Sequence, residues 1–133
     1  MERADRQGDI MEDNRAEQIE ALQAMLEYNP KLLRAMKAVA EELAGNRQPD
    51  TDEYLLAVIK GMNWEIAVFN GTMEVLKEQD TVIDKDEANK AFVAFSDLYK
   101  DKKDKEMAEC LQQKIIPFFE LFEKAASKRC AIE

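Results

Sequence analysis

Apolar residues recur along most of the chain in alternating steps of four and three, the spacing that marks the buried face of a bundle helix. The first series runs from Leu22 to Leu43 and contains Pro30. Asn29 suits a helix N-cap and Pro30 a first helical position, so the pattern predicts either two short helices or one helix kinked at Pro30. This helical region is predicted to end near Gly45.

The second predicted helix begins at Asp50 and continues to about Gln79. Asp50 and Glu53 have the spacing of a capping box, which marks a helix start. It carries two apolar stripes about 140° apart, with Glu65 and Thr72 between them. One stripe is usual for an amphipathic helix, so two stripes predict contacts on two sides. The first stripe is Leu55, Ile59, Met62, Ile66, Phe69, Met73 and Leu76, and the second is Tyr54, Ala57, Gly61, Trp64, Val68, Gly71 and Val75.

A third helix is predicted to begin at Asp84, which together with Glu87 repeats the capping spacing. A charged connector at residues 100–106 leads to a fourth helix, which is expected to bend at Pro117. The sequence therefore predicts an all-α fold, an antiparallel up-and-down bundle of about four helices with the first and last kinked at Pro30 and Pro117.

The helical pattern defines one domain at residues 12–128. We expect residues 1–11 to form a frayed or disordered N-terminal segment and residues 129–133 to form a C-terminal tail. A length of 133 residues with 46% hydrophobic content is sufficient for a single domain with a buried core.

The formal net charge of −9 is unfavourable for binding to phosphate backbones and anionic lipid surfaces, so we expect neither a nucleic-acid nor a membrane partner. No run of 18 apolar residues occurs, and the polar N-terminus has no signal-peptide core, so we expect a cytoplasmic protein. Cys110 and Cys130 are then expected to be reduced thiols.

The chain contains no histidine, which removes the commonest general base and metal ligand. The acidic cluster of Asp80, Asp84, Asp86 and Glu87 lacks the spacing and the glycine of an EF-hand loop. We therefore predict no catalytic, cofactor-binding or metal site and expect a protein that is not an enzyme.

Trp64 lies between Gly61 and Gly71, although glycine weakens a helix interior by roughly 1 kcal/mol. The second stripe is either core, with Trp64 as an anchor between close helices, or a surface for a partner; a small-molecule pocket beside Trp64 is a third reading. The segment 115–122, IIPFFELF, is apolar on nearly all sides and is either buried or completed by a partner. The candidate partner-binding residues are Tyr54, Gly61, Trp64, Val68, Gly71, Val75, Ile116, Phe119 and Leu121.

The segments LEYNPKLLRAMKAVAEEL and GMNWEIAVFN resemble small all-helical bacterial domains of unassigned function, in which a Tyr-x-Pro-Lys-Leu segment precedes a Gly-x-x-Trp helix. The resemblance covers residues 20–125, implies an all-helical fold and a bacterial origin, and transfers no catalytic residue. In size and helix count the chain also resembles flagellar-type export chaperones, without a shared motif. The matching positions are Tyr28, Pro30, Lys31, Leu32, Gly61 and Trp64.

These features together predict a non-enzymatic protein-interaction module, which would be an adaptor, a regulator or a chaperone-like helix binder. The expected partner is another protein or a second copy of the chain, as in a homodimer. The alternative is binding of a small apolar ligand or lipid tail within the bundle, beside Trp64 and Phe118. We expect no cofactor and no metal.

Overall fold

The computed structural model describes the backbone of residues 2–76 and 83–132 and the side chains of residues 14–76 and 83–131. No strand occurs in these ranges. Four long rods, formed by α1, by α2 with α3, by α4 and by α5 through α6, confirm the predicted all-α bundle. The elements are α1 (Glu2–Leu43), α2 (Thr51–Gly71), α3 (Met73–Leu76), α4 (Lys85–Lys100), α5 (Asp104–Cys110), a π-helical turn (Leu111–Ile115) and α6 (Ile116–Ile132).

The first helix continues through Pro30 as one element, so the alternative of two short helices is wrong. Proline removes one backbone hydrogen bond there. Apolar side chains on both sides of Pro30, such as Met25 and Leu32, are almost completely buried, so both halves of the helix pack against the rest of the bundle. The helix begins at Glu2.

The junction between α1 and α2 is closed by Thr51. Gly45, with φ +140°, ends α1 as predicted. The side chain of Asp50 makes no capping hydrogen bond, so the capping box predicted there is wrong. Instead, the Thr51 hydroxyl accepts a hydrogen bond from the Gln48 N–H (2.7 Å) and donates one to Oε1 of Glu42 (2.7 Å).

The predicted cap of the third helix is confirmed at α4. Oδ1 of Asp84 accepts hydrogen bonds from the N–H groups of Asp86 (3.0 Å) and Glu87 (3.1 Å). The backbone of Asp84 is extended, which is the geometry that a capping residue normally takes, whereas that of Asp50 is not.

The second helix ends at Gly71 and does not continue unbroken towards Gln79. The buried Thr72 hydroxyl donates a hydrogen bond to the Val68 carbonyl oxygen (2.7 Å). Such a side-chain bond competes with the helical backbone bonds, and a separate helix, α3, is described from Met73 to Leu76. Residues 77–82, which include the predicted helix end at Gln79, lie outside the described part of the chain.

The fourth rod is interrupted by the π-helical turn immediately before Pro117, which is the second residue of α6. The Ile116 N–H donates to the Leu111 carbonyl oxygen, a bond from residue i to residue i−5. In a regular α-helix the proline ring would collide with the carbonyl of Gln113. The wider π turn accommodates the ring, so the irregularity predicted at Pro117 takes this form.

Five phenylalanine rings join α2, α4 and α6 at the centre of the bundle. The Phe118 ring lies 5.2 Å from that of Phe69, 5.1 Å from that of Phe92 and 5.0 Å from that of Phe119, all nearly perpendicular. Phe122 completes the cluster with a ring 5.3 Å from that of Phe69. Each such edge-to-face pair adds about 0.5–1.5 kcal/mol beyond the burial of apolar area.

Candidate functional site

The two apolar stripes of α2 are the edges of one broad buried face. Glu65 and Thr72, which lie between the stripes, are 0% and 1% exposed. Both side chains therefore point into the bundle. Glu65 and Thr72 lie in the middle of one buried face and do not separate two apolar surfaces. In the second stripe Gly61, Val68 and Val75 are buried and Tyr54 is half-buried, while Trp64 and Gly71 reach the surface.

The two glycines that flank Trp64 have different surroundings. A Cβ atom on Gly61 would overlap Oη of Tyr28 and lie 3.0 Å from Cδ1 of Leu32, so this glycine allows α1 to approach α2 closely. A Cβ atom on Gly71 would meet nothing within 4 Å. Gly71 therefore leaves a hollow rather than a close helix contact.

Trp64 forms a ridge between two shallow depressions that are open to solvent. Its side chain is 42% exposed, and its ring packs edge-on against that of Tyr28, with centroids 5.7 Å apart. One depression, of about 500 Å³, extends from Trp64 over Gly61 to Ala57 and Lys60. The other, of about 300 Å³, extends over Gly71 to Gln18 of α1.

Five of the eight residues of the apolar segment 115–122 are buried. Ile116 is 6% exposed and Phe119 is 0% exposed, because the segment packs between α1 and α4. Leu121 remains partly accessible and lines a depression of about 480 Å³ between α4 and α6. The sequence left open whether this segment is buried or contacts a partner, and the structure shows that most of it is buried.

Five of the nine candidate partner-binding residues are consequently covered by the chain itself. Neighbouring helices bury them, although Gly61 and Val68 still line the two depressions beside Trp64. Tyr54, Trp64, Gly71 and Leu121 retain accessible surface. The five covered residues are Gly61, Val68, Val75, Ile116 and Phe119.

An apolar groove between α2 and α4 was missed by the sequence reasoning. It encloses about 340 Å³. Ile59 and Ile66, which belong to the first apolar stripe of α2, are only half-buried there, and Tyr99 on the opposite wall is 40% exposed. The sequence does place apolar residues on both helices, which form the walls of the groove. The spacing of these residues along each helix does not show how far apart the two helices lie. The groove is lined by Ile59, Met62, Asn63, Ile66, Phe92, Phe95, Ser96, Tyr99 and Lys100.

The phenylalanine cluster explains why the groove is open. α2 packs on α1, and α4 packs on α5 and the π-helical turn. Phe118 of α6 inserts between Phe69 of α2 and Phe92 of α4 and holds the two helices apart. Of these three phenylalanines, Phe92 also lines the groove.

A second feature that the sequence did not predict is a buried carboxyl group. Glu65 is 0% exposed, and neither of its oxygens has a hydrogen-bond partner among the described residues. Burial, and secondarily the negative charge of Glu123, raise the pKa of Glu65 to about 8. In the same interior, Nδ2 of the buried Asn29 donates to Oε2 of Glu123 (2.6 Å), so Asn29 holds α1 to α6 and does not cap a helix. No group of three or more acidic or cysteine side chains converges on one point among the described residues.

The fold and its surface define a small all-α bundle with an apolar groove between two helices. The chain belongs to a family described as Domain of unknown function (DUF8042), whose model matches residues 20–125. This range confirms the resemblance to all-helical domains of unassigned function. No curated protein and no solved structure gives a significant match. Among the described residues, no helix is both long enough and apolar enough to cross a membrane.

Proposed function

We propose that this protein is a non-enzymatic protein-interaction module that binds an amphipathic helix of a partner in the groove between α2 and α4. The observation that supports this proposal is the groove itself, which has apolar walls on two helices and half-buried Ile59 and Ile66 at its edge. An adaptor, a regulator and a chaperone-like binder would each use such a surface.

The dimensions of the groove suit a helix. Its α2 wall extends from Ile59 to Ile66, and the exposed Leu56 continues the same face of α2 by helical spacing. At 1.5 Å per residue, the distance from Leu56 to Ile66 is about 15 Å, or about three helical turns. A bound helix would present apolar residues at positions i, i+3 or i+4, and i+7.

Local charge favours a partner helix with an acidic residue beside its apolar face. Lys100 lines one end of the groove and makes no ion pair with any described residue, while Asn63 and Ser96 are the other polar lining residues. Because exposed charges are screened over about 8 Å, the local lysine matters more to a docked side chain than the net charge of the whole protein.

Binding of a small apolar ligand has less support. Binding pockets for small molecules normally enclose most of the ligand. The depressions beside Trp64 are open, and Phe118 is packed against Phe69, Phe92 and Phe119. A helix with one exposed side fits the open groove better than a ligand that must be surrounded.

The proposal can be tested by site-specific photo-crosslinking in native cells. A benzophenone amino acid is placed at Ser96, which lines the groove, and in a matched control at Val93, which is exposed on the same helix but outside the groove. We expect crosslinks from position 96, and not from position 93, to a segment with apolar residues at helical spacing and an adjacent acidic residue.

Three outcomes would contradict this function. Equal crosslinking from both positions would show that the groove is not selective. Crosslinks to a segment without an apolar helical face would exclude the helix-in-groove mode, and crosslinks solely between two copies of this chain would replace the partner by a homodimer. As a second test, Tyr99→Ser should weaken binding of the identified segment at least about tenfold, since apolar anchors dominate such interfaces.

A further inference from the structure

We propose that Glu65 is a proton-dependent latch: α2 packs fully against α1 and α6 while this carboxyl group is protonated, and it loses part of that packing when the group ionises. The inference concerns the interior of the bundle and does not depend on the proposed partner. It rests on the position of Glu65, on its lack of hydrogen-bond partners and on the groups that surround it.

Glu65 lies at the centre of the buried face of α2. The residues one turn away along the helix, Gly61, Met62, Val68 and Phe69, are buried as well. Neither carboxyl oxygen has a partner among the described residues, although both are fully covered. An ionised carboxylate in such a place is strongly disfavoured unless water or a donor reaches it, whereas the neutral acid is tolerated far better.

Among the described residues, the charged group that shifts the pKa of this carboxyl is another carboxylate. From α6, Glu123 contributes a negative charge, and it is the charged group that acts on Glu65. From α1, the amide donor of Asn29 is already engaged with Glu123 and with the Phe119 carbonyl oxygen (3.5 Å). Arg129 of α6 is buried, but it is not among the groups that shift Glu65, and Glu74 of α3 is exposed.

The direction of the pH effect follows from these surroundings. The pKa of Glu65 rises from 4.5 to about 8 in the folded protein. Between these values the folded state retains a proton that the unfolded state has released, so the stability from the protonated carboxyl decreases as pH rises. Through this window the unfolding equilibrium constant should increase about tenfold per pH unit on account of this one group.

Ionisation also has a structural consequence, because the new charge needs water. The shortest way to admit water is an outward movement of α2, which would disturb the contact between Tyr28 and Trp64 across α1 and α2. Trp64 is the single tryptophan of the chain, so its fluorescence reports on the packing of α2.

The experiment is a titration of Trp64 emission and acrylamide quenching from pH 5 to pH 9.5. For the wild type we expect a red shift and stronger quenching with a midpoint near pH 8. Glu65→Gln should remove this transition. Glu53→Gln, which changes an exposed glutamate on the same helix, should titrate like the wild type.

A second variant keeps the latch testable if Glu65→Gln does not fold. Glu123→Gln removes the neighbouring negative charge and should therefore move the midpoint to lower pH. The proposal would be overturned by a wild type without a transition between pH 7 and 9, by a transition that persists in Glu65→Gln, or by a midpoint that Glu123→Gln leaves unchanged.

Discussion

Replacing Gly61 and Gly71 by alanine, one at a time, adds the same methyl group to the same helix in two different surroundings. Each change gains stability from the backbone, because alanine restricts the unfolded chain more than glycine does; the gain is about 0.4–1 kcal/mol at a compatible position. The methyl group at position 71 meets no atom within 4 Å, so this gain should appear in full.

At position 61 the added methyl group collides with α1. It would overlap Oη of Tyr28 and lie 3.0 Å from Cδ1 of Leu32. Overpacking of this kind costs about 1–3 kcal/mol. We therefore expect Gly61→Ala to be less stable than Gly71→Ala by about 1–3 kcal/mol, the difference being the collision itself.

Urea denaturation followed by circular dichroism at pH 6 measures both variants while Glu65 is protonated in the folded state, so its ionisation on unfolding contributes equally to both. A double variant identifies the colliding group: in Gly61→Ala with Tyr28→Phe, the hydroxyl is absent and part of the lost stability should return. The explanation fails if Gly61→Ala is as stable as Gly71→Ala. It also fails if Tyr28→Phe costs the same stability in both backgrounds.

Two further predictions concern the interior. Asn29→Ala removes the hydrogen bond to the Glu123 carboxylate and should lower the free energy of unfolding, measured by urea titration, by about 1.5–3 kcal/mol. The control Asn70→Ala, at an exposed position of α2, should change this free energy by less than about 0.5 kcal/mol. Cys110 is 8% exposed, and burial raises the pKa of its thiol. In a Cys130→Ser background, a disulfide reagent at pH 7.5 should therefore modify Cys110 at least about a hundredfold more slowly in the folded protein than in urea. Comparable rates in the two conditions would contradict the burial of this thiol.

The sequence determined the features of this protein that depend on local geometry. The spacing of apolar residues predicted the helices, and the structure confirms an all-α bundle. Gly45 and Asp84 were identified as the end of one helix and the cap of another because each acts on the backbone within a few residues. The prediction of a cap at Asp50 was wrong. At this junction the Thr51 hydroxyl donates a hydrogen bond to Glu42, nine residues away along the chain.

The tertiary structure alone decided which arc of α2 is buried. Sequence spacing fixes the angle of each side chain around its own helix axis, but not the direction of the neighbouring helices. The two apolar stripes were therefore compatible with two separate faces and Glu65 between them. In the structure α2 packs on α1 and contacts α6 through Phe69, and Glu65 is buried. The same packing covers Val68 and Phe119, which were candidates for partner contact.

The groove between α2 and α4 was likewise decided by packing. Phe118 of α6 contacts both Phe69 of α2 and Phe92 of α4, three side chains that lie far apart in the sequence. The sequence specified which residues are apolar, and the contacts between helices determined which of them became core and which became the wall of an open groove.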